Sequence, residues 1–226
     1  MDEFLTDDER GEVAKRWFRE NGLFLAAGVV LGLGLLFGSQ YWEEDKLARA
    51  GEAAVIWQQL QAAADGERFN EVEELLSMLE SDYASTPYLA QSRLSVARMH
   101  MDRNSPEEAL AQLNKVAANG GDAALSKVAE LRMAQIYLYQ ERYDEALAIV
   151  GAEDKPAFVA QEHEVRGDIF FAQGEYEVAR DEYSKALEMD KFSTLDRSFV
   201  QMKLDDVTGT IARMAKEPAT AAAETE

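Results

Sequence analysis

A chain of 226 residues with 43 Asp and Glu against 23 Lys and Arg carries a formal charge of −20. Such a surface repels phosphate backbones and anionic headgroups and argues against binding DNA or RNA. The absence of cysteine removes disulfides, thiolate metal sites, thiol nucleophiles and a lipid-attachment cysteine together, while 47% hydrophobic residues suffice for a folded core.

Residues 1–21 form a charged N-terminal segment in which Thr6-Asp7-Asp8-Glu9 is placed to cap a short helix carrying Val13 and Trp17. A run without charge follows, 22 residues from Asn21 to Trp42 in a chain that is 29% charged. At ~1.5 Å per residue such a helix matches a hydrocarbon core roughly 30 Å thick. A cleaved signal has a shorter apolar region and a small-residue cleavage site, whereas this run ends in Gly38-Ser39-Gln40-Tyr41-Trp42. Trp17 and Phe18 before it and Tyr41 and Trp42 at its close stand where interface aromatics belong. The expectation is one transmembrane helix over 22–42. Arg10, Lys15, Arg16 and Arg19 precede it and only Lys46 and Arg49 follow closely, which keeps 1–21 in the cytoplasm and exports the rest. Gly28 with Gly32, and Gly34 with Gly38, make two small-xxx-small pairs that permit close helix packing. Glycine is also simply frequent in such helices.

Residues 43–215 read as an all-α repeat array. The clearest unit is HEVRGDIFFAQGEYEVARDEYSKALEMD at 163–190, where Gly167, Phe170, Gly174, Tyr176, Ala179, Tyr183 and Ala186 have the spacing of a tetratricopeptide repeat. Tyr137, Tyr143 and Ala146 repeat that register 33 residues earlier, and Ala97 and Ala109 repeat it 37 residues before Ala134 and Ala146. Phe69 and Val72 mark a faint first copy. Thr86-Pro87 and Ser105-Pro106-Glu107-Glu108 read as helix starts, the second as a capping box. Asn119-Gly120-Gly121-Asp122 breaks one helix and caps the next, and Ser193 with Asp196 starts a final capping helix to about Ala215. No alternating apolar run predicts a strand. The last residues, 216–226, have simple composition and read as a disordered tail. The predicted architecture is thus an N-terminal single transmembrane helix followed by a tetratricopeptide-like α-solenoid with a C-terminal capping helix.

An N-in anchor followed by degenerate repeats resembles the YfgM family. The resemblance covers nearly the whole chain and is carried by the opening DEFLTDDERGEVAKRWFRENG, the glycine-rich span and an array ending near Met214. It implies an inner-membrane protein with a periplasmic repeat domain, an ancillary subunit of the SecYEG translocon that associates with the periplasmic chaperone PpiD and handles newly exported client proteins. Neither periodicity nor composition implies any of this.

Chemistry is the weaker expectation. His100 falls in the packing slot of Tyr137 and Phe170, and His163 lacks the second histidine of a zinc-hydrolase helix because residue 167 is Gly. Acidic runs such as Glu71-Val72-Glu73-Glu74 lack calcium-loop spacing. No cofactor, metal or catalytic group is predicted, and a metal-dependent hydrolase is the distant rival. The nearer rival is an anchored scaffold for another envelope assembly pathway such as cytochrome c maturation. In tetratricopeptide arrays the first helix of each pair lines the concave side, which maps a protein-binding groove onto Trp57, Leu94, Arg98, Met101, Leu131, Gln135, Leu138, Tyr139, Asp168 and Phe171. Large apolar and methionine side chains suit partly folded segments. Alternatively, an irregular array curls tightly and buries these residues against its own capping helix. Both readings stand open on the sequence.

Overall fold

A computed structural model describes residues 7–118, 122–151, 156–192 and 195–223, with the side chains of 7–10, 13, 14, 34, 36–40 and 217–223 outside the description. Nine helices run through the described residues: α1 (Asp7–Asp65), α2 (Phe69–Asp82), α3 (Pro87–Asp102), α4 (Pro106–Ala117), α5 (Ala123–Tyr139), α6 (Tyr143–Ile149), α7 (Val159–Ala172), α8 (Tyr176–Met189) and α9 (Arg197–Ala223). No strand occurs among them. The chain divides into two compact units, Met1–Glu52 and Ala53–Glu226.

The first unit is the leading part of α1. No separate N-terminal helix precedes the charge-free run, because α1 is continuous from Asp7. The first proline of the chain is Pro87, and an interior glycine costs a helix only about 1 kcal/mol. Thr6 and the side chain of Val13 lie outside the described residues. Apolar side chains stand bare along this helix, with Leu23 81% and Leu35 75% exposed. A Cβ added at Gly28 or Gly32 would meet nothing within 4 Å, so that pair sits on an open face. The side chains at Gly34 and Gly38 lie outside the described residues. Among the described residues no helix is long and apolar enough to cross a membrane, so the span expected over 22–42 does not emerge from them. Lys46 Nζ lies 3.5 Å over the Trp42 ring just beyond the run.

The second unit begins at Ala53, within α1, which runs without a break to Asp65. It is a stack of helix pairs whose joints are built alike. Glu67, Asn104, Glu141 and Gly174 have φ of 53°, 56°, 58° and 78°, and each follows the last turn of the first helix of a pair. The next residue in each case, Arg68, Ser105, Arg142 or Glu175, donates its backbone N–H to the carbonyl of Ala63, His100, Tyr137 or Phe170, at 2.9, 2.9, 2.8 and 2.9 Å. This left-handed closure satisfies helix-end carbonyls. The closure recurs at the joint of the faint first copy as at the other three.

Packing follows the same register. Val72, Ala109, Ala146 and Ala179, one in the second helix of each pair, are all 0% exposed. Gly167 permits the closest approach, since a Cβ there would lie 2.5 Å from the Tyr183 ring. Among the described residues the core is a chain of four clusters. The end of α1 packs with α2 and α3 around Leu60, Val72, Leu79 and Val96, α3, α4 and α5 around Ala97, Leu113 and Ala129, α5, α6 and α7 around Ala134, Val150 and Ile169, and α7, α8 and α9 around Tyr183, Ala186, Val200 and Val207. Each cluster joins neighbouring pairs, as a solenoid requires, and Val200 and Val207 make α9 the closing helix.

Capping differs in detail from expectation. Asp122 caps α5, accepting from the backbone N–H groups of Ala124 at 2.8 Å and Leu125 at 3.1 Å, and Asp196 accepts from Phe199 N–H at 3.1 Å to start α9. Residues 119–121 and 193–194 lie outside the described residues. Ser105 precedes Pro106 but makes no side-chain cap bond, so the capping box is absent. Thr86 likewise makes none to α3; its hydroxyl donates back to the Tyr83 carbonyl at 2.8 Å. Helix α9 continues to Ala223, past the end expected near Ala215. Of the tail expected over 216–226, the side chains from 217 and the whole of 224–226 lie outside the described residues.

Candidate protein-binding surface

The first helices of successive pairs are the end of α1, α3, α5 and α7, and they sort the expected groove residues into two groups. Leu94, Arg98, Met101 and Gln135 come together at two adjoining cavities. The larger, about 680 Å³, is lined by the end of α1, α2, α3 and α5, and its charges balance: Asp65, Glu67 and Asp102 against Arg98, Arg103 and Arg132. The smaller, about 330 Å³, has an apolar floor of Ala97, Leu113 and Ile136 with half-buried Met101, and a rim of exposed Arg98, Arg132 and Gln135. Leu94 is itself only 7% exposed and contributes to the wall of the larger cavity.

The other expected groove residues serve the fold. Leu131 is 8% exposed and belongs to the cluster between α5, α6 and α7. Leu138 packs on the same cluster. Trp57 is half-buried against Tyr88, ring centroids 5.7 Å apart. Phe171 packs edge-on to Tyr176 at 5.4 Å, beside the α8–α9 core. Asp168 accepts from the Tyr183 hydroxyl and from Lys203 Nζ, both at 2.8 Å, tying α7 to α8 and α9. Burial and the Asp168 charge push the Tyr183 phenol up. Lys203 is also raised, because bonds to Asp168 and Glu164 outweigh the lowering effect of its burial. Tyr139 alone stands clear, 62% exposed, its hydroxyl donating to Asn104 Oδ1 at 3.1 Å. Apart from Tyr139, these side chains pack between neighbouring helices of the array.

Arg132, Arg103 and Phe69 were not foreseen. Arg103 stacks over the Phe69 ring at 3.8 Å. Arg132 precedes Gln135 by three residues, hence shares its helix face, and that spacing was the available signal. Among the described residues its guanidinium makes one long bond, to the Leu94 carbonyl at 3.4 Å, and burial followed by the nearby Arg98 charge lowers its pKa.

Two buried polar centres lie away from the cavities. Lys127 and Glu162, 1% and 0% exposed, form an ion pair between α5 and α7, and Lys127 also reaches Glu130 at 3.2 Å. His163, buried, has Nδ1 2.8 Å from Glu182 Oε2. Arg166 donates to the same carboxylate oxygen at 2.8 Å and to the Val150 carbonyl at 2.7 Å, and Lys185 donates to Glu182 Oε1 at 2.8 Å. Burial pushes the Glu182 carboxyl up, but the bonds from Lys185, His163 and Arg166 and the Arg166 charge outweigh it and hold it down at about 2. His163 is thereby engaged with a carboxylate and a guanidinium across helices α7 and α8. His100 is half-buried on α3.

The family model for a tetratricopeptide repeat-like domain matches residues 15–209. Proteins named ancillary SecYEG translocon subunit are similar nearly end to end. The one from Escherichia coli (strain K12) is 26% identical, covering 92% of this chain and 100% of the relative. That from Neisseria gonorrhoeae is 27% identical over 90% of this chain and 98% of the relative, and that from Haemophilus influenzae 22% identical over 90% and 98%. The likeness read from the sequence therefore holds over the same extent of chain.

Proposed function

Because the chain belongs to the tetratricopeptide repeat-like domain family, we propose that it is a protein-binding scaffold, tethered to the bacterial inner membrane by the charge-free part of α1, that works beside the Sec translocon. The observation that carries this reading is similarity to named translocon subunits over 98–100% of their length, a span that takes in the charge-free run as well as the repeats. Leu23, Phe24, Val30, Leu31 and Leu35, all 67% or more exposed, favour an anchor, since each apolar side chain left bare in water forgoes about 1.5–3 kcal/mol of burial. The basic residues before the run support an orientation with the N-terminus in the cytoplasm and the repeat unit in the periplasm. There the array meets newly exported chains and a periplasmic chaperone of the PpiD kind. Its part is binding, not chemistry.

The test is affinity capture of the tagged full chain from detergent-solubilised membranes, with quantitative mass spectrometry of what it retains. SecY, SecE and SecG subunits are expected to be enriched over an unrelated single-pass protein. Enrichment of haem-lyase components without any translocon subunit would assign the scaffold to cytochrome c maturation and overturn the reading.

A further inference from the structure

The two ends of the charge-free run in α1 are unlike. Glu43, Glu44 and Asp45 follow Trp42 directly, and the cations beyond them are taken. Lys46 Nζ lies 3.5 Å over the Trp42 ring, and Arg49 Nε bonds Asp45 Oδ2 at 2.9 Å. Before the run, Lys15, Arg16 and Arg19 stand within two turns of Asn21. Lys15 faces Glu12 at 3.5 Å, but among the described residues no ion pair or hydrogen bond ends on Arg16 or Arg19. Glu20, the one acid between them and Asn21, therefore pairs with neither. Asp7, Asp8 and Glu9 lie farther back, about 10 Å or more along the helix from Arg16, which is a screening length at ordinary salt. Residues three apart share a helix face, so the two free guanidiniums leave α1 on one side. Trp17 and Phe18, 50% and 61% exposed, stand in the same turn with their rings edge to face at 5.4 Å.

We propose that Arg16 and Arg19 hold the phosphate of an anionic phospholipid. The proposal rests on the reading of the charge-free part of α1 as a membrane anchor and names the lipid that its leading end selects. Guanidinium forks match the oxygens of a phosphate diester, and long basic side chains reach from the edge of an apolar helix to headgroup depth. The aromatic rings of Trp17 and Phe18 fit the same depth. A phosphatidylcholine headgroup also carries a phosphate, but its own ammonium cancels that charge and is repelled by the arginines. Phosphatidylglycerol has no such cation. At the trailing end Glu43, Glu44 and Asp45 repel an anionic lipid, so the preference belongs to one end of the run.

Tryptophan quenching by brominated lipids reads each end separately, with the full chain reconstituted in phosphatidylcholine vesicles. The chain has three tryptophans, and Trp57 packs in the repeat unit against Tyr88, a constant background. W42F therefore reports lipid beside Trp17, and W17F reports lipid beside Trp42. Quenching by brominated phosphatidylglycerol against brominated phosphatidylcholine gives their relative association. At Trp17 phosphatidylglycerol is expected to be favoured about threefold or more, a preference that falls with added sodium chloride. At Trp42 the two lipids should quench alike. R16Q/R19Q, placed in W42F, should bring the two lipids level at Trp17. Both arginines are exposed, so these changes leave the core untouched, and circular dichroism checks the helical content. The vesicles have the same lipids on both faces, so the direction of insertion does not enter. Inorganic phosphate, compared with chloride at equal ionic strength, should not erode the preference; selective loss would make free phosphate the ligand and overturn the assignment to lipid. Equal quenching at Trp17, or a preference that survives R16Q/R19Q, would also overturn the proposal. Absence of quenching by either lipid would remove the anchor reading together with the proposal, whereas quenching without preference removes the proposal alone.

Discussion

Glu182 lies 9% exposed among Lys185, His163 and Arg166, and its folded carboxyl sits at about 2 against an ordinary 4.5. A depressed carboxylate contributes stability that is fully present above the unfolded pKa and is lost as pH falls through the folded one. For Glu182 the window runs from about pH 4.5 down to about pH 2. E182Q should cost about 1–3 kcal/mol at pH 7, by leaving buried donors under-satisfied, and its melting temperature should converge on that of the native chain as pH falls through the window. Thermal unfolding followed by circular dichroism from pH 7 to pH 2 checks this, and a gap that stays constant across the range would remove Glu182 from the acid response. Such centres were hidden in the sequence for a physical reason. Lys127, Glu162 and Glu182 stand in helices rich in exposed charge, where a charged side chain usually faces water, and only the three-dimensional pairing shows which ones are inside. Ala109, Ala146 and Ala179, by contrast, were legible because a position where two helix backbones meet tolerates little besides a small side chain.

The helices themselves were readable where one face is apolar and unreadable where two are. Helix α5 packs against α4, α6 and α7, and Leu131, Met133, Ala134 and Ile136 are all buried on it. An apolar stripe that wide leaves periodicity without a phase, so Leu131 and Tyr139 were both assigned to the groove although one is core and the other surface. Their separation is testable. L131S should cost ~2–5 kcal/mol through the cavity and the buried hydroxyl, whereas Y139S gives up one exposed hydrogen bond, about 1 kcal/mol or less. Denaturant titration of each single variant reads the difference directly. A midpoint for Y139S as low as that for L131S would place Tyr139 in the packing of the array. The joints between helices were partly legible too. Gly174 announced its turn and Asn104 suits one, but Glu67 and Glu141 adopt the same positive φ with side chains that seldom do, and there the repeat register, not the residue type, reveals the turn.

At the scale of the whole molecule, two compact units with opposite solvent preferences share one polypeptide. The repeat unit buries its apolar residues in four clusters, whereas the leading part of α1 leaves its own exposed. If the latter is an anchor, orientation follows from Arg10, Lys15, Arg16 and Arg19 before it against Lys46 and Arg49 after it, because basic residues near a span resist translocation and acidic ones count little. Alkaline phosphatase fused after Glu226, an enzyme that matures only on the exported side, should be active, and a green fluorescent protein fused there through the same export channel should stay dark. Replacing Arg10, Lys15, Arg16 and Arg19 by glutamine while adding lysines beside Lys46 should move part of the population to the opposite orientation, seen as rising fluorescence at the expense of phosphatase activity. The acidic repeat unit does not oppose this shift, since its Asp and Glu residues carry little weight in the bias. Fluorescence with no phosphatase activity in the unaltered chain would put the repeat unit in the cytoplasm, where newly exported proteins never reach it, and the translocon role would have to be sought on the other face of the membrane.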